Sequence, residues 1–151
     1  MCGIIKKETI IVDLDCQNKE EAIYLLCKQL KKAELLDDNE LFYQEVINRE
    51  KMFSTSIGKL IAIPHGMDDN VLAPSICFGR LKHSILWDIE SEEYVKMIIL
   101  IAIPKNNKDN IHLHIISHLM RQLMHDDFIG KLLIGNKNEI LKTIEAGLSE
   151  V

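Results

Sequence analysis

Apolar and polar positions along this chain change their period several times, and each change marks an element. Thr9 to Leu14 (TIIVDL) is a short apolar run and predicts a first strand. After it, Ala22, Ile23, Leu26, Cys27 and Leu30 recur at helical spacing, with Asn18 standing where a capping residue belongs. A second helix is predicted from Asn39 to Lys51, with Leu41, Phe42, Val46 and Ile47 apolar and Glu50 and Lys51 at its polar end. The middle of the chain differs. Leu60–Pro64 (LIAIP), Ser75–Leu81 (SICFGRL) and Tyr94–Ile103 (YVKMIILIAI) are strand candidates. The last is apolar on successive residues, as a central strand covered on both faces should be. From Asp109 onward the period is helical again, over Ile111–Leu123, Phe128–Ile134 and Asn138–Ala146. Helices before, among and after strands predict an α/β fold, one sheet with helices on both faces. The pattern leaves strand order and direction open.

Length and charge narrow the classes. The chain of 151 residues has no repeat, no low-complexity tract and no Gly/Ser/Pro-rich linker, which predicts a single domain over residues 1–151. Lys and Arg number 18 against 23 Asp and Glu, a net charge of −5, which excludes general nucleic-acid binding. The longest apolar run, Met97 to Ile103, ends at Pro104, far short of the roughly 20 residues that cross a bilayer. The start, MCGIIKKETI, lacks a signal-peptide core and cleavage site, so a cytoplasmic protein without direct membrane insertion is expected. Cys2, Cys16, Cys27 and Cys77 show no metal or redox spacing and are expected as free thiols. Cys2 has no apolar segment before it, against a lipoprotein anchor.

The densest candidate for chemistry is STSIGKLIAIPHG, Ser54 to Gly66. A strand-like run delivers Pro64-His65-Gly66 at its C-terminal end, where open α/β sheets place their sites. Proline fixes the backbone before the histidine, and glycine permits close approach after it. A neutral imidazole is a nucleophile at neutral pH without a separate base, although three residues alone also fit an ordinary turn. A second histidine stands out by helical arithmetic. At about 100° per residue, His112 falls within the arc of Leu113, Ile116, Leu119, Met120 and Leu123, while His114, His118, Arg121 and His125 fall opposite. His112 is therefore expected to face the sheet from the first turn of its helix, as a site residue or as a core histidine. The other three histidines share a face, but no carboxylate or cysteine joins them and no metal is expected.

Five separated elements then fall in one recognisable order: Arg49-Glu50, Ser54-Thr55, Gly58, the strand, and Ala62 to Gly66. The segment NREKMFSTSIGKLIAIPHG resembles the active-site signature of enzyme IIA of the bacterial phosphoenolpyruvate-dependent sugar phosphotransferase system, in its fructose/mannitol family. The segment HLHIISHL, His112 to Leu119, resembles that family's second-histidine pattern. The resemblance covers nearly the whole chain and implies a single mixed β-sheet flanked by helices on both faces. It implies that His65 carries the phosphoryl group and that His112 assists. It also places Arg49 near His65, where a guanidinium can bind two phosphoryl oxygens at once, rather than in a surface ion pair of little energetic weight. Ser54 and Thr55 are weaker candidates as hydroxyl donors to the group or to an imidazole. Ser56 and Leu60 stand where glycine is common in the family, and Met67 follows Pro-His-Gly where another residue is often seen.

The implied activity is a phosphotransferase. The chain would accept a phosphoryl group from the phosphorylated histidine-containing carrier protein and pass it to a IIB component during sugar uptake. Phosphohistidine is already activated and no ATP-binding loop is present, so no cofactor is expected. The alternative is a regulatory module of the nitrogen-related type, whose phosphorylation state controls a partner protein. A third reading, a scaffold that is never phosphorylated, is disfavoured by His65, Arg49 and His112 occurring together.

Overall fold

A computed structural model describes residues 3–106 and 110–149; Cys2 and Asp109, read above, lie outside them. The long apolar run becomes the spine of the molecule. Five strands form one mixed sheet: β1 (Ile10–Leu14), β2 (Ile61–Ala62), β3 (His65–Asp68), β4 (Ser75–Asp88) and β5 (Glu93–Pro104). β1 runs parallel to β4, β4 pairs antiparallel with β5, and β2 and β3 lie end to end along the other edge of β5, parallel to it. Every residue from Met97 to Ile103 is at most 1% exposed, because the pleat sends successive side chains into two cores. Ile98, Leu100 and Ala102 enter one, and Met97, Ile99, Ile101 and Ile103 enter the other.

Two helices cover the first core. α1 (Lys19–Lys32) begins at Asn18, whose side chain accepts from Glu21 N at 2.9 Å, and buries Ala22, Ile23, Leu26, Cys27 and Leu30. α2 (Asn39–Met52) begins at Asp38, which accepts from Glu40 N and Leu41 N. The second core lies under α3 (Ile111–Gln122), α4 (Asp126–Ile134) and α5 (Lys137–Gly147), through Ile115, Leu119, Phe128, Leu132, Ile140 and Ile144. Burying a large aliphatic side chain in either layer contributes roughly 1.5–3 kcal/mol.

Several expectations are corrected. β4 continues past Leu81 to Asp88: Lys82, His83 and Ser84 are exposed and interrupt the apolar pattern at a register shift, after which Ile85 and Trp87 return to the core. His65 to Asp68 form a strand that no apolar pattern announces; pairing with Ile101 to Pro104 makes it one. On α2, Leu41 is exposed and Glu50, expected at the polar end, is 4% exposed. Cys16, Cys27 and Cys77 are free and buried; burial pushes the Cys16 thiol up to about 11 and Cys27 up to about 12. Among the described residues no helix is long and apolar enough to cross a membrane.

Candidate active site

The edge of the sheet beside β5 is built unlike its centre. Between α2 and β2 the chain folds back on itself: Ile63 N donates to Thr55 O, Ile57 N donates to Ile61 O, and Ser56 bridges Ala62. This narrow hairpin covers the outer edge of β2, which would otherwise present unpaired backbone groups. Its tip requires three successive left-handed residues, Gly58, Lys59 and Leu60, at φ 80°, 56° and 66°. Leu60 thus occupies a conformation that glycine holds at no steric cost. The Leu60 carbonyl accepts from both Lys96 N and Met97 N, and Lys59 Nζ donates to Leu123 O at the end of α3. Those contacts hold the tip to the spine and to the second helical layer.

Pro64 follows the hairpin, and its carbonyl accepts from Ile101 N, which starts β3 with His65 opposite Ile101. Alternation then sets the faces. Gly66 points to the α2 side, where an added Cβ would meet Phe42, Glu45 and Val46 side chains at 3.1 Å. The close approach that glycine permits here is therefore that of α2 itself. His65 and Met67, in register with Ile101 and Ile103, belong to the face covered by α3, α4 and α5.

The half-buried His65 ring lies 3.1 Å through Nδ1 from the carbonyl of Ile63. A carbonyl only accepts, so this contact puts the ring proton on Nδ1 and leaves the lone pair on Nε2. His65 lines a cleft of about 270 Å³ together with Arg49, Met52, Phe53 and Thr55. The last turn of α2 supplies Arg49 and Met52. Arg49 Nε donates to Glu45 Oε1 at 2.9 Å, one turn earlier, an exposed pair of little energetic weight that holds the guanidinium by one edge. Its remaining N–H groups suit two oxygens of a tetrahedral anion. Met52 and Phe53, both more than 70% exposed, form an apolar rim.

The other sequence candidates are distributed differently. Thr55 lines the cleft, and its hydroxyl donates to Glu50 Oε2 at 2.7 Å. Ser54 Oγ lies 3.0 Å from Ser56 Oγ, and Ser54 borders a neighbouring groove with Glu50, Trp87 and Lys19 instead of the His65 cleft. His112 is half-buried in the first turn of α3, outside the described lining of the cleft. The inward stripe of that helix is Ile111, Ile115 and Leu119, rotated from the expected arc: Leu113 and Met120 are exposed, and His118 is partly buried. Among the described residues no group of three or more His, Cys, Asp or Glu could hold a metal ion.

Sequence reasoning places Glu50 beside Arg49 in the signature but gives it no role in the site. Its carboxylate accepts from Thr55 N at 2.9 Å, Thr55 Oγ1 at 2.7 Å and Trp87 Nε1 at 2.7 Å. The available signal is Trp87, the chain's one tryptophan, whose indole N–H needs an acceptor once β4 carries it into the core.

Comparison with known proteins gives the family and the fold. The family model described as phosphoenolpyruvate-dependent sugar phosphotransferase system, EIIA 2, matches residues 3–147. The fructose-like EIIA component of Escherichia coli K12 is 31% identical over 142 residues, covering 91% of this chain and 94% of that protein. The fructose-specific EIIABC component of Bacillus subtilis 168 is 32% identical over 130 residues; the match takes in 86% of this chain but only 20% of that longer protein. Among solved structures, the complex of mannitol enzyme IIA with phosphorylated enzyme IIB from Escherichia coli superposes with a TM-score of 0.78 at 26% identity, covering 94% of this chain and 99% of that one. The chain belongs to the EIIA 2 family of the phosphoenolpyruvate-dependent sugar phosphotransferase system, a family of phosphotransferases.

Proposed function

We propose that this chain, acting in the cytoplasm as one domain, accepts a phosphoryl group on His65 Nε2 from the phosphorylated histidine-containing carrier protein and passes it to a IIB component during sugar uptake. The observation that carries the reading is the Nδ1 contact to Ile63 O inside a cleft that also holds the Arg49 guanidinium. The Nε2 lone pair attacks phosphorus as the N–P bond of the donor phosphohistidine breaks, and the donor ring nitrogen takes back that electron pair. Nδ1 keeps its proton throughout, and Arg49 offsets charge on the phosphoryl oxygens. Onward transfer reverses the roles. The transferred group is already activated, so the step needs no metal or nucleotide. Met52 and Phe53 give a protein partner an apolar rim to dock on while limiting water around a hydrolysable bond.

His112 fits an assisting role by placement. It stands in the first turn of α3, which starts beyond the β5 end nearest β3 and covers the sheet face to which His65 belongs. There it orients the ring or hydrogen-bonds the phosphoryl group.

Incubation with the general phosphotransferase components and labelled phosphoenolpyruvate tests the proposal. The expected result is one acid-labile, base-stable label per chain, absent from His65→Ala and transferable to a IIB protein. Labelling of His65→Ala at the parent rate overturns it. A label that no IIB protein accepts favours the nitrogen-related regulatory role instead.

A further inference from the structure

We infer that Glu50 is a positioning residue for His65, acting through Thr55 and Ile63 and referenced to the sheet by Trp87; the inference rests on His65 being the phosphoryl acceptor. The contacts are consecutive. Trp87 Nε1 and Thr55 N both donate to Glu50 Oε1, and the Thr55 hydroxyl donates to Oε2. The Thr55 carbonyl accepts from Ile63 N at 3.0 Å, and the Ile63 carbonyl accepts from His65 Nδ1 at 3.1 Å. Thr55 is thereby held at its amide, hydroxyl and carbonyl, while Ser54 and Ser56 on either side bond each other.

The choice of a carboxylate is the informative part. A buried charge without partners is costly, and an apolar side chain of similar volume often serves stability as well or better. An apolar side chain cannot fix the direction of three donors. Glu50 transmits the position of Trp87, near the end of β4, to the strand that turns the Ile63 carbonyl toward the imidazole. If that carbonyl turned away, Nδ1–H would lose its acceptor, the ring would divide between tautomers, and fewer molecules would present the Nε2 lone pair. Arg49, adjacent in sequence, belongs to the same last turn of α2, so one short segment addresses both the nucleophile and its counter-charge.

The test reads the tautomer directly, by nitrogen-15 NMR of the His65 ring in the unphosphorylated protein, alongside the rate of phosphoryl labelling. The parent is expected to show one Nδ1–H tautomer. Glu50→Ala is expected to populate the Nε2–H form and to label about tenfold more slowly or worse, the scale expected when a reacting group is misplaced. Glu50→Gln can keep all three contacts, its oxygen accepting from Trp87 and Thr55 N while its amide donates to the Thr55 oxygen. It should restore the single tautomer and most of the rate. Leu132→Ala, a truncation in the second core, controls for lost stability and should move neither readout while the protein stays folded. If Glu50→Ala does not fold, Trp87→Phe carries the test, with an expected partial shift to the Nε2–H form and a severalfold slower label.

An unshifted tautomer together with the parent's labelling rate, in Glu50→Ala or in Trp87→Phe where that variant must stand in, overturns the inference. So does Leu132→Ala matching both changes. Should the parent itself fail to label, the phosphocarrier reading falls, while the tautomer comparison still decides whether Glu50 positions the ring.

Discussion

The centre and the edge of the sheet solve opposite problems. Along β5, Met97 to Ile103 are held from both sides by many small apolar contacts, none of which sets a direction. Residues 53–60, beside the site, are all at least partly exposed and rely on identified polar bonds and a tip of three left-handed residues. Contacts without direction add up to stability. Directed contacts aim a side chain but are few, and removing one is felt at a particular atom. Stability and transfer should therefore be separable by mutation.

The largest expected effect tests the centre. Leu100→Ala removes a fully buried side chain opposite Cys77 and should lower unfolding free energy by about 2–5 kcal/mol in a denaturant titration. Labelling of the molecules that remain folded should keep the parent rate; a large loss there would mean that the two regions are not separable. Next comes the edge. On the proposed role of Arg49, Arg49→Ala removes charge-assisted bonds made only when a phosphoryl group is present, each worth roughly 1.5–3 kcal/mol. Transfer should slow by about ten- to a hundredfold at under about 0.5 kcal/mol of stability, since its ion pair with Glu45 is an exposed helical one. Equal transfer in both proteins would remove Arg49 from the chemistry. The smallest effect has the opposite sign. Leu60→Gly relieves a left-handed backbone at φ 66° and should raise the unfolding midpoint by roughly 0.5–1 kcal/mol equivalent, with labelling unchanged. A destabilised Leu60→Gly would show that the leucine side chain contributes more than its backbone costs.

The same division explains what the sequence makes legible. α1, its Asn18 cap and the buried run of β5 follow from local periodicity, because burial on one face or two leaves a direct pattern. His65 and Arg49 are legible through their motif, and the fold brings both to one cleft. The second half of β4 is obscured by the exposed polar stretch Lys82 to Ser84, and β3 by depending on a partner strand more than 30 residues away. Glu50 is legible as a member of the motif, but its burial and its partners are not, for a related reason. A glutamate in the last turn of a helix reads as solvated, and its Trp87 donor lies 37 residues further on. On α3 the difficulty is an excess of signal: Leu113 and Met120 widen the apolar arc, and periodicity alone cannot tell which flank is left in solvent.

Gly66 gives this edge its scale. With no side chain at that position, the backbone of the strand that carries His65 lies against the helix that carries Arg49, their separation set by Phe42, Glu45 and Val46. The gap between guanidinium and imidazole is thus graduated by one missing methyl group. At 3.1 Å, even alanine would force those neighbours back by a few tenths of an ångström, and Glu45, which steadies Arg49, is one of them. A hydrogen atom in the Pro-His-Gly motif works as a ruler, and the length it measures is the width of the cleft that Arg49 and His65 share.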